Sequence, residues 1–122
     1  GYALLWDAHS IASVVPRFFT GTLPDLNLGT AESLSCRPDL GNHLFKMMQQ
    51  SQFSAVRDSR FKGGYITRHY GQPKGGIHAV QMEIAQSTYM EEHSDNGYDE
   101  TKAAKLRAFL QTMILGLSRT KI

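Results

Sequence analysis

The stretch Ile77-His78-Ala79-Val80-Gln81-Met82-Glu83-Ile84-Ala85 alternates in character, and its reading organises the rest of the chain. Side chains on an extended backbone point to opposite faces in turn. His78, Val80, Met82 and Ile84 therefore fall on one face, and Ile77, Ala79, Gln81, Glu83 and Ala85 on the other. A strand buried on at least one side fits this pattern, with Glu83 as its lone acid beside Ile77 and Ala79. Before it, Arg60-Phe61-Lys62-Gly63-Gly64-Tyr65-Ile66-Thr67-Arg68-His69-Tyr70-Gly71 mixes glycine, basic and aromatic residues and reads as a loop closed by Gly75-Gly76. After it, Glu91 to Gly97 is polar and turn-like, ending in Asn96-Gly97. Asp99 can then cap a helix whose apolar positions Ala103, Leu106, Leu110, Met113, Ile114 and Leu117 recur at helical spacing.

Further out, Phe53 to Val56 suits a short strand. Pro38 suits the first turn of a helix running to about residue 51, with Leu40, Leu44, Met47 and Met48 on one face. Val15 to Ser35, punctuated by Pro16, Gly21, Pro24, Asp25, Asn27 and Gly29, shows no sustained periodicity and reads as a long connection. The chain opens on Tyr2-Ala3-Leu4-Leu5-Trp6, a short apolar run expected to be a buried strand that empties into a polar loop at Asp7-Ala8-His9-Ser10. Strand, helix, strand, loop, strand, helix is the order of an α/β layer, a mixed sheet flanked by helices in one domain over residues 1–122.

Composition narrows the function. The 122 residues carry 13 Lys plus Arg against 11 Asp plus Glu, a formal charge of +2. The basic residues are scattered among acids, so no nucleic-acid stripe is expected. Apolar runs fall far short of the roughly 20 residues of a membrane helix. One cysteine cannot form an internal disulfide, which points to a reducing, cytoplasmic setting. Residue 1 is Gly, and an apolar run follows almost at once, so a fragment of a longer chain is expected.

Several residues carry chemistry beside a plainer reading. Asp7, His9 and Ser10 put a carboxylate, an imidazole and a hydroxyl together; His9 reads as a metal ligand whose tautomer Asp7 fixes, or as part of a capped turn. A hydrolytic triad is disfavoured, because an extended backbone sends Asp7 and His9 to one side and Ser10 to the other. Glu83, if buried, gains the raised pKa of a general base; otherwise it is a sheet-face glutamate. Arg68 can clamp a carboxylate by two parallel hydrogen bonds, or lie solvated. Asn27 can donate its amide to a ligand or hold a turn, and the turn is the better reading. Cys36 reads as a buried, inert thiol, His43 as structural, and His78 and His93 show no ligand spacing.

Four segments, DAHSI at residues 7–11, PDLNLGT at 24–30, RFKGGYITRHYG at 60–71 and AVQMEIAQSTYM at 79–90, occur in an order that resembles the C-terminal portion of the N-formylglutamate amidohydrolase family. The resemblance implies part of a fold similar to zinc carboxypeptidases and aspartoacylases. It implies zinc-dependent hydrolysis of the formyl amide of N-formyl-L-glutamate to formate and L-glutamate, in histidine degradation. By the same resemblance His9 is a zinc ligand, with further ligands expected upstream of this chain. Glu83 is the catalytic base, and Arg68 and Asn27 bind the small acidic substrate. Two alternatives stand beside it: a deacylase of another N-acyl acidic amino acid, and a non-catalytic module that binds a carboxylate or forms a homo-oligomer through an exposed sheet surface.

Overall fold

A computed structural model describes residues 1–93, 95 and 97–119. The expected turn at Asn96-Gly97 rests partly on a residue outside that set. Four strands form one mixed sheet: β1 (Ala3–Ile11), β2 (Leu26–Gly29), β3 (Ala55–Arg57) and β4 (Ile77–Ala85). Among the described residues three α-helices accompany them, α1 (Pro38–Gln49), α2 (Tyr65–Tyr70) and α3 (Glu100–Arg119). The strand order is β1-β4-β2-β3. β4 runs parallel to β1 and antiparallel to β2, which is parallel to β3.

β4 has the bounds its alternation predicts, and neighbours on both edges bury all of it except Ile77. Val80, Met82 and Ile84 face the core with Leu26 and Leu28 of β2, packed against Leu40, Leu44 and Met48 of α1 and Leu106, Met113 and Leu117 of α3. Burying these side chains supplies the main driving force, roughly 1.5–3 kcal/mol for each one fully buried. α1 begins at Pro38 and carries Asp39 in its first turn, where a negative charge complements the helix dipole. The Asp99 carboxylate accepts the Lys102 N–H at 3.0 Å, as a cap should. Ile114, expected in the core, is 48% exposed instead.

Four expectations need correction. β1 does not end at Asp7: every residue from Ala3 to Ile11 pairs with β4, so the supposed polar loop is strand. Nor is β1 a fully buried strand, since it lies at the sheet edge and only Asp7 along it is buried. The connection Val15 to Ser35 contains β2, four fully buried residues between β4 and β3. The glycine-rich segment holds a helical turn, α2, rather than loop throughout. β2 and α2 are each too short to display a period in sequence; their conformation is fixed by the neighbours they pair with.

Candidate active site

The strand register builds the site. His9 of β1 and Asn27 of β2 both lie opposite Glu83 of β4, so the three share one sheet face in a row across adjacent strands. One step back along the strands, Asp7, Gln81 and Gly29 form a second row on that face. The opposite face is the apolar core, so the polar groups are segregated by the period-two geometry alone.

Asp7 Oδ1 and His9 Nε2 lie 2.8 Å apart. The carboxylate is an acceptor, so the proton of a neutral imidazole belongs on Nε2 and the Nδ1 lone pair is left free. Asp7 is itself held from α2, where Thr67 Oγ1 donates to its Oδ2 at 3.3 Å. Ser10 points away and shares a hydrogen bond with the Tyr89 hydroxyl, as the parity of the strand requires.

Glu83 is 6% exposed. Burial raises its pKa above the ordinary value; the nearby His9 opposes that rise and the Asp7 charge adds to it. Gln81 Nε2 donates to Glu83 Oε2 at 3.4 Å, while Gln81 Oε1 accepts the Gly64 N–H at 2.6 Å. The turn before α2 reaches the sheet because Gly29 has no side chain: a Cβ there would lie 2.6 Å from the Gly63 nitrogen. Gly63 adopts a φ of +118°, which L side chains rarely do.

A cavity of about 320 Å3 opens beside Gln81, lined also by Arg60, Phe61, Lys62, Gly63, Gly64 and Arg68. Lys62 is paired with Glu32 at 2.8 Å. Arg60 Nε donates to the Phe18 carbonyl at 2.5 Å. Arg68 has no ion pair among the described residues and stands exposed at the cavity. A cationic cavity touching the residue beside Glu83 suits an acidic ligand.

Asn27 is turned inward. It is 1% exposed, and its Nδ2 donates to the Pro24 carbonyl at 2.8 Å and the Glu83 carbonyl at 3.2 Å. Both amide hydrogens thereby have main-chain acceptors, the arrangement that the turn-holding reading expects. It holds the Pro24–Asn27 turn, and only Oδ1, buried and without a hydrogen bond, remains.

Cys36 is fully buried, and desolvation pushes its thiol up to about 11, as befits an inert core residue. His43 is exposed, and His78 accepts the Arg37 N–H at 3.1 Å through Nδ1. Sequence reasoning passed over Gln81 and Thr67; the one signal for Gln81 was its place two residues before Glu83 on the same face. Among the described residues no three His, Cys, Asp or Glu side chains converge as metal ligands, and at this site they offer the His9 imidazole nitrogen with a carboxylate behind it. No helix among them is long and apolar enough to cross a membrane.

Fold and site together define an α/β protein with an imidazole–carboxylate row on one face of a mixed sheet, beside a cationic cavity. The sequence model of N-formylglutamate amidohydrolase matches residues 1–90, and the chain belongs to that family. It is 50% identical over 118 residues to the N-formylglutamate deformylase of Pseudomonas aeruginosa and 51% identical over 118 residues to that of Pseudomonas putida. Each alignment covers 96% of this chain and 44% of the relative, so the chain spans less than half the length of these relatives. The crystal structure of N-formylglutamate amidohydrolase from Ralstonia eutropha JMP134 superposes with a TM-score of 0.76 at 22% identity, over 90% of this chain and 41% of that one. The shared fold is what that likeness shows.

Proposed function

We propose that the complete protein hydrolyses the formyl amide of N-formyl-L-glutamate, releasing formate and L-glutamate. The observation that carries this is the register that sets His9 beside Glu83 on one face, with the Arg68 cavity adjoining through Gln81. The names of relatives at about half identity support the same substrate.

Glu83 is the base. A carboxylate buried enough to have a raised pKa takes a proton from an attacking water more readily than an exposed one, and as an acid it passes that proton to the departing nitrogen. Arg68 receives a carboxylate of the substrate, converting binding into alignment of the scissile amide. Asp7 holds the His9 ring so that Nδ1 is presented as a lone pair, the form a zinc ion accepts. Zinc bound there would polarise the formyl carbonyl and acidify the attacking water. A full zinc site would need further donors from outside the described residues. Kinship with the zinc carboxypeptidase and aspartoacylase fold, a place in histidine degradation and a cytoplasmic setting belong to the same reading.

Glu83→Gln tests it. A general base contributes about 10^2–10^4-fold, so turnover of N-formyl-L-glutamate should fall by that order while zinc content is retained. A near-normal rate would remove Glu83 from the reaction. Rates on the N-formyl and N-acetyl substrates, side by side, separate a deformylase from a deacylase of related acidic amino acids.

A further inference from the structure

We propose that Gln81 is a positioning residue, holding the Glu83 carboxylate from the turn that carries Arg68. The inference rests on the assignment of Glu83 as base and extends it to a residue with no ionisable group.

Among the described residues, Gln81 is the only side chain that hydrogen-bonds the Glu83 carboxylate. Its orientation is fixed chemically: the Gly64 N–H at 2.6 Å must face the amide oxygen, which leaves the NH2 group to turn toward Glu83. Gly64 in turn accepts the Arg68 main-chain N–H at 3.1 Å. A continuous hydrogen-bonded path thus runs Arg68, Gly64, Gln81, Glu83. The last link, 3.4 Å, is long for a hydrogen bond, and such contacts commonly tighten when substrate engages. A carboxylate without that donor can rotate within its pocket, and a base must stay within about 2.6–3.2 Å of the proton it abstracts. At 5% exposure Gln81 itself has little freedom.

The test is a double-mutant cycle of Gln81→Met and Glu83→Gln in the complete protein. Methionine keeps the unbranched shape and removes both hydrogen bonds. Gln81→Met alone should lower kcat about 10–100-fold, the usual cost of losing an orienting partner, with KM changed less than about two-fold. In the Glu83→Gln background it should change the residual rate by less than about two-fold, because its effect passes through the carboxylate. An equal drop in both backgrounds, or a loss confined to KM, overturns the role. A second readout needs no turnover: the side-chain 15NH2 resonances of Gln81 should move on Glu83→Gln. Unmoved resonances overturn the contact. If Glu83→Gln alone keeps its rate, the base assignment fails, and the resonances still decide whether Gln81 holds Glu83.

Discussion

At the scale of the residue, burial of the Glu83 carboxyl ties stability to pH. Its folded pKa lies above the ordinary 4.5 because burial penalises the charged form. The folded chain therefore keeps a proton that the unfolded chain has released, and stability falls as pH rises from about 4.5 through the raised folded value. Glu83→Gln removes that dependence. Thermal unfolding should show the variant melting above the parent at pH 8, with the gap closing as the solution is brought below about pH 4. A variant that melts lower at pH 8 would mean the carboxylate is stabilised, not strained, by its surroundings. Cys36 makes a separate statement. With its thiol moved from 9.0 to about 11 by burial, it carries little thiolate at pH 8, so iodoacetamide should leave the native chain unmodified and alkylate it only as it unfolds. Glu83 and Cys36 were legible as residues because alternation or isolation marked them. Asn27 was half legible: its turn-holding role follows from residue type, but both its donor bonds going to main chain is a product of strand pairing that no local pattern encodes.

At the scale of the element, the junction between β2 and α1 carries the strain. Ala31, Glu32 and Ser33 follow one another at φ of 48°, 58° and 68°, three left-handed residues in succession and none a glycine. Each costs roughly 1–2 kcal/mol relative to a right-handed conformation. The segment is held by compensating bonds: Ala31 N donates to Lys62 O at 2.6 Å, Arg57 Nη2 donates to Ser33 Oγ at 2.7 Å, and Asp58 Oδ1 accepts the Thr30 N–H at 2.7 Å. Ala31→Gly preserves every one of these and relieves one left-handed residue. Set against glycine's extra unfolded-state entropy of about 0.5–1 kcal/mol, a net stabilisation of about 0.5–1 kcal/mol is expected, read as a higher urea midpoint at unchanged slope. Gly29→Ala should act in the other direction. Its Cβ would meet main-chain atoms of Gly63 at 2.6 Å and Lys62 at 2.7 Å, which cannot swing aside as a side chain would. Overpacking of this kind costs about 1–3 kcal/mol and would lift the Gly63-Gly64 turn from the sheet, so turnover should fall with stability. Elements long enough to show a period, β4, α1 and α3, could be read from sequence. β2 could not, because four residues between a proline and a left-handed turn hold less than one useful repeat, and α2 is a single turn stabilised by what it touches.

At the scale of the whole molecule, an α/β architecture was legible from the order of elements, whereas strand order was not. Which strands become neighbours is decided by contacts far apart in sequence, and that choice is what lines up His9, Glu83 and Asn27. The same arrangement limits what these residues do by themselves. A catalytic zinc takes three protein ligands as a rule, and the described residues present one imidazole nitrogen, with Asp7 occupied in orienting it. A single exposed imidazole binds zinc too weakly to survive dialysis, and binding confined to the folded state would raise stability only where the metal concentration greatly exceeds Kd. The 122-residue chain titrated with zinc by calorimetry should therefore show only weak association, reduced by His9→Ala, and a chelator should leave its melting temperature unchanged. Retention of stoichiometric zinc by this chain, with a melting temperature that drops when a chelator strips it, would show that its own side chains rearrange into a full donor set. On the proposed assignment, in which the imidazole is one ligand of a finished site, the same His9→Ala substitution in the complete protein should lower zinc content and turnover together.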